Sequence, residues 1–178
     1  MPRLLLTTLL VFVLPLVTAT TLPNRPVETL DLARYSGQWH EIARLPMYFQ
    51  RKCLGAVVAT YTPNPDGTIH VHNSCRTRKG LMSVDGIARI QAADQPAALE
   101  VRFAPAWLTW LPAAWAAYWV IEVDADYQWA VIGSPNRKHL WILSRQPTMD
   151  RAQFQILREH SRQRGYAVDQ LIVTAPLD

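Results

Sequence analysis

The chain has 178 residues, 49% apolar and 18% charged, with a formal net charge of +4. That length allows one domain with a sizeable core, and the balance is globular rather than disordered. The charge is small and spread along the chain, and no nucleic-acid motif accompanies it, so nucleic acid is not an expected partner.

The chain opens with Arg3 and an uncharged apolar run from Leu4 to Val17, followed by Val17-Thr18-Ala19. This reads as an export signal over residues 1–19, cut after Ala19. An uncleaved anchor is the alternative, for which the run is short. The first cysteine is Cys53, so lipidation at an N-terminal cysteine is not expected. The expected location is across the inner membrane, in the periplasm or associated with the outer membrane. Residues 20–29 read as an N-terminal extension and 30–178 as the folded domain. Cys53 and Cys75 are the two cysteines. In an oxidising compartment such a pair reads as a disulfide.

Short strand-like runs then follow one another, separated by turn signals. They are Gly37 to Leu45, Leu54 to Thr62, Thr68 to Cys75, Leu81 to Gln91 and Leu99 to Phe103, with a tight turn at Asn64-Pro65-Asp66-Gly67. From Phe103 to Ile121 no residue is charged. A membrane helix is argued against there by Pro105 and Pro112. The better reading is an apolar loop from Pro105 to Trp115. Strands at Tyr118 to Val123, Tyr127 to Gly133 and His139 to Ser144 complete eight. A helix is then expected, with Thr148 as its N-cap, Met149, Ala152, Ile156, Leu157 and His160 on one face, and Gly165 as its stop. A short strand over Leu171 to Thr174 closes the chain. The fold class is therefore all-β. Eight consecutive antiparallel strands favour an up-and-down barrel, which removes exposed edges. At that strand number the interior holds one small ligand. A sandwich is the alternative architecture.

Three segments resemble the lipocalin family. Gly37-Gln38-Trp39 is similar to its G-x-W motif, Asp126-Tyr127 to the motif before the seventh strand, and Arg145 to the third. Trp39-His40-Glu41-Ile42-Ala43-Arg44 and Leu140 to Arg145 resemble bacterial outer-membrane lipocalins and apolipoprotein D-like relatives. The resemblance implies that Trp39 plugs the closed end with Arg145 packed across its ring, and that the function is binding of a small hydrophobic ligand.

Alternation places Val57, Ala59, Tyr61, Val84, Gly86, Ala88, Ile90, Leu99, Val101 and Phe103 toward the lumen. Glu41 shares the alternation of Trp39. It is either a buried lumen carboxylate near the base or the partner of a neighbouring arginine. Loops of a meander alternate between the two ends. The open end then carries Arg51, Lys52, Arg76, Arg78, Lys79, Arg137 and Lys138 with Trp107, Trp110 and Trp115, while the closed end carries Asp66, Asp94, Asp124 and Asp126. A basic, aromatic mouth suits an anionic membrane surface. His70 and His72 share a strand face, which reads as a solvent face rather than a metal site. No cofactor or metal is expected, and no catalytic motif stands out. The expected function is transport or storage of a fatty acid or (lyso)phospholipid in the cell envelope. An enzyme acting through Cys53 and a ligand-free structural envelope protein are the alternatives. Ligand identity and oligomeric state stay open.

Overall fold

The computed structural model describes residues 21–103 and 115–178. The expected export signal and most of the apolar loop, with Trp107 and Trp110, lie outside these residues. The strands are β1 (Gly37–Arg44), β2 (Gly55–Pro63), β3 (Ile69–Thr77), β4 (Gly80–Ile90), β5 (Ala98–Arg102), β6 (Ala116–Val123), β7 (Trp129–Gly133) and β8 (Trp141–Ser144). Each pairs antiparallel with the next, and β1 pairs with both β2 and β8, so the sheet closes into a barrel. A short strand, β9 (Ile172–Val173), adds to β1 at Ala43 and Arg44.

Side-chain alternation drives this closure. In β3, Ile69, Val71 and Cys75 are buried, while the intervening His70 and His72 are half-exposed. The turn into β3 is made as its residues dictate. Gly67 takes φ +82°, and Asp66 Oδ1 accepts from the Thr68 backbone N–H at 2.9 Å. A bond from the Thr68 hydroxyl, and then that backbone bond, hold the Asp66 carboxyl below its usual range.

A one-turn helix, α1 (Leu32–Tyr35), closes the base; Asp31 caps it, accepting from Ala33 and Arg34 backbone N–H groups. The preceding segment runs down the outer wall. Its Leu22 N–H donates to Gln163 O, Asn24 Nδ2 to Ser134 O, and Val27 N–H to Val120 O. Ser134 follows β7 at the open end, so the chain joins the barrel on the mouth side.

The long helix α2 spans Arg151–Gln163. Its N-cap is Asp150, not Thr148: the Asp150 carboxylate accepts from Gln153 N–H at 2.8 Å. Met149 is held extended in a bridge to Leu177, and Thr148 bonds Asp178 instead. The buried face also differs from the expected one. Phe154, Leu157 and Ser161 pack inward, whereas Ile156 is exposed. Gly165, at φ +86°, ends the helix as expected.

The core has two parts. One fills the lower barrel around Trp39, Tyr35, Tyr61, Val71 and Leu143. The other lies between the barrel wall and α2, around Ile42, Val131, Ile142, Phe154 and Leu157. The upper barrel is left as a cavity.

Candidate ligand-binding site

The cavity has a volume of about 540 Å³, within the usual size of small-molecule sites. Of the lumen residues expected from alternation, Glu41, Val57, Ala59, Tyr61, Val84, Ala88, Leu99, Val101 and Phe103 line it. Gly86 faces the same way, but the Phe103 ring lies over it: a Cβ built there would meet that ring and Arg102 O, both at 2.6 Å. Ile90, paired with Leu99 near the closed end, is half-buried and is not among the lining residues.

Other residues also line the cavity, beyond the expected set. Ile69, Val71 and Asn73 alternate in β3, and Tyr118 stands two residues before the buried Val120, so the period carried a signal for them. Phe49 and Gln50 carried none. They sit in a 3-10 turn (Tyr48–Gln50) whose fold-back over the mouth depends on tertiary contacts.

One wall is aromatic from rim to base. Phe49, His139, Trp141, Tyr118, Tyr61, Tyr35 and Trp39 follow one another with ring centroids 5.1 to 6.4 Å apart. Trp39 is fully buried, and its indole N–H donates to Tyr35 O at 2.8 Å. Tyr35 separates Trp39 from the cavity, so Trp39 is the plug. Arg145 covers the outer face of its ring. Tyr127, in the turn before β7, takes φ +58° and its hydroxyl accepts from Asp31 N–H. Asp126 lies exposed beside Arg34.

Glu41 is both of the things expected of it: it lines the cavity and is paired. Its Oε1 accepts from Arg44 Nη1 at 2.5 Å, and its Oε2 from Gln50 Nε2 at 2.9 Å. Gln50 Oε1 in turn accepts from Trp141 Nε1 at 2.9 Å. Arg44 Nη2 donates to the carbonyls of Gln50 and Cys53. This buried network ties the loop between β1 and β2 to the barrel wall. Among the described residues no lysine or arginine lines the cavity, and burial lowers the pKa of His139, which favours its neutral ring.

The mouth is rimmed by exposed apolar side chains: Tyr48, Phe49, Leu54, Leu81, Met82 and Phe103. Among them stand the exposed Arg51, Lys52, Arg76, Arg78, Lys79 and Lys138. Two expected mouth residues are committed elsewhere. Trp115 folds against the outer wall, with the guanidinium carbons of Arg89 and Arg102 at 4.0 and 5.0 Å from its ring. Arg137 Nε donates to Arg164 O at the end of α2. Cys53 and Cys75 form a disulfide at the rim, which leaves Cys53 without a thiol. His70 and His72 both reach Asp85 on the outer wall, at 3.0 and 2.8 Å. Among the described residues no group of three His, Cys, Asp or Glu side chains is arranged to hold a metal. No described helix is long and apolar enough to cross a membrane.

The model of the lipocalin-like domain matches residues 30–176. Temperature-induced lipocalin-1 of Arabidopsis thaliana is 40% identical over 154 residues, covering 85% of this chain and 82% of that one. The outer membrane lipoprotein Blc of Citrobacter freundii is 34% identical over 164 residues, covering 88% of each chain. Among solved structures, the cockroach allergen Per a 4 matches with a TM-score of 0.63 at 18% identity, covering 89% of this chain and 96% of that one, a likeness of fold alone. The chain therefore belongs to the lipocalin family, whose members bind small hydrophobic ligands.

Proposed function

We propose that this chain carries one single-chain anionic lipid, a fatty acid or lysophospholipid, for transport or storage in a cell envelope. The observation that carries this reading is the cavity of about 540 Å³, apolar in most of its lining, closed by Trp39 below and open above among basic side chains. An acyl chain gains by leaving water, at about 0.8 kcal/mol per buried CH₂. Among the described residues no Lys or Arg lines the cavity to meet its anionic head, and the one carboxylate there, Glu41, already holds Arg44. At the rim the head meets Arg51, Lys52, Arg76, Arg78 and Lys79. The ligand therefore sits tail-down with its head at the mouth.

The same rim suits docking on an anionic bilayer. Exposed apolar side chains interleaved with cations fit the headgroup region. The described N-terminal segment joins the barrel on the mouth side, where Asn24 bonds Ser134, and the sequence before it holds the apolar run Leu4 to Val17. That run and the likeness to outer membrane lipoproteins support an envelope location. No cofactor or chemical step is part of this reading.

Native mass spectrometry of the purified protein, followed by displacement of a fluorescent fatty acid, tests it. One bound amphiphile per chain, displaced by hexadecanoic acid or lysophosphatidylglycerol, is expected. A protein that carries no amphiphile and binds neither would overturn the carrier reading.

A further inference from the structure

The phenols low in the cavity do not balance their own hydrogen bonds. Tyr118 Oη lies 2.7 Å from Tyr35 Oη and 2.8 Å from Tyr61 Oη. Each hydroxyl carries one proton. Two protons fill the two O···O bonds, whichever way each bond points. A third proton remains, and among the described residues no other acceptor is bonded to any of the three oxygens. All three residues line the cavity. The partner of the third proton must therefore come from whatever fills that cavity, because a buried donor left unmade is costly.

The chemistry of that partner is restricted. Burial pushes the pKa of Tyr61 up to about 12 and raises those of Tyr35 and Tyr118 well above the usual phenol value. The cluster therefore keeps its protons and acts as a donor. An anion is a poor match, because among the described residues no Lys or Arg lines the cavity and the Glu41 charge is close enough to raise the pKa of Tyr61. A hydrocarbon end offers no acceptor at all. A neutral oxygen fits. A second polar group stands in the same cavity: Asn73, one inward position above Val71, has a buried amide oxygen without a partner. The lining makes more polar demand than a plain acyl chain can meet.

We propose that Tyr35, Tyr61 and Tyr118 form a hydrogen-bond donor site for a neutral oxygen on the buried part of the ligand. The cavity thus selects oxygenated acyl chains, keto or hydroxy, over plain ones. This rests on the carrier reading above, with the anionic head at the mouth, and it names the ligand class more closely.

The test compares 15-oxohexadecanoic acid with hexadecanoic acid in direct titrations of the full protein. The two share a head and a chain length and differ by one oxygen near the tail. The wild type favours the oxo acid by roughly 3- to 10-fold, about one neutral hydrogen bond. Tyr35→Phe/Tyr61→Phe/Tyr118→Phe keeps the rings and deletes every donor of the cluster, and the preference then reverses toward the plain acid. A single Tyr118→Phe change is uninformative by the same proton count, since it frees the other two hydroxyls. A second measurement needs only the wild type: the infrared carbonyl stretch of bound, ketone-labelled oxo acid falls below its position in a hydrocarbon solvent. Equal affinities in the wild type, a preference that survives the triple change, or a ketone stretch at the hydrocarbon position would each overturn the tyrosine site while leaving the carrier intact. Failure of both acids to bind would instead remove the carrier reading, and the proposal with it.

Discussion

The guanidinium carbon of Arg145 lies 3.8 Å from the centroid of the Trp39 ring. Its nitrogens donate to three backbone carbonyls, those of Gln38, Arg34 and Tyr127, at 2.8, 2.6 and 3.2 Å. One side chain thus fastens β1, α1 and the turn before β7 around the plug. Gly37, beside it, takes φ +92°, a conformation that favours glycine. Trp39→Ala should destabilise by about 3–5 kcal/mol, as large aromatic truncations in cores do. Arg145→Ala should cost about 2–4 kcal/mol through the lost bonds and cation–π contact. Urea unfolding measures both. An unchanged midpoint with collapsed ligand affinity would mean that Trp39 is a ligand contact rather than a plug.

The Cys53–Cys75 bridge ties the loop after β1 to β3, with Cα atoms 5.5 Å apart and a sequence separation of 22. Closing a loop of that size stabilises by about 3 kcal/mol on the chain-entropy account. Cys53→Ser/Cys75→Ser should lower stability by about that amount. Thiol titration of the denatured, unreduced protein should find no free thiol, and two would refute the bridge.

Gly86 is required by its neighbours rather than by a turn. A Cβ there would meet Arg102 O and the Phe103 ring, both at 2.6 Å. Gly86→Ala should destabilise by about 1–3 kcal/mol, the usual cost of overpacking. Phe103→Ala in that background should recover only part of the loss, because the backbone carbonyl stays. Full recovery in thermal melts would show that the ring alone sets the constraint.

Burial lowers the pKa of His139, with a smaller push from Lys138, and burial lowers that of His40. Their folded values lie below the ordinary 6.5, so between the two values the unfolded chain binds more protons. Stability from these two groups is full above pH 6.5 and is lost as pH falls below it. The melting temperature should drop on acidification from pH 7 to pH 5, and His40→Asn/His139→Asn should flatten that slope. An equal slope in the variant would place the effect elsewhere.

Strand order and the inward faces of β2, β4 and β5 were legible in the sequence because each depends on a period of two and a turn signal beside it. The plug was legible through the G-x-W resemblance. Phe49 and Gln50 were not, since nothing local dictates that a three-residue turn folds back over a barrel mouth. The helix was legible too, but Met149, expected on its buried face, is held extended by a bridge to Leu177. As the last residue of the expected apolar loop, Trp115 reads from sequence as part of the lip. Two arginines on the outer wall, invisible to a linear reading, hold its ring instead.

The hairpin between β3 and β4 is the sharpest feature of the mouth. Arg76, Arg78 and Lys79 surround its tip, and Leu81 beside them is 80% exposed. Across the opening, Phe49 is 59% exposed and Tyr48 lies under the Arg51 guanidinium at 4.1 Å. Large apolar side chains left in water at a cavity entrance argue for a surface that covers them, and their cationic neighbours give that surface a sign. Under the docking hypothesis, the protein should float with anionic phosphatidylglycerol vesicles, less with neutral phosphatidylcholine ones, and less as salt rises. Phe49→Ser/Leu81→Ser should remove the apolar insertion, and Arg76→Glu/Arg78→Glu the attraction. Each pair should weaken flotation at least tenfold. Unfolding midpoints should stay near wild type in both, because the four side chains are exposed. Equal flotation of all three proteins, or a preference for neutral vesicles, would discard mouth-first docking and require the ligand to arrive by another route.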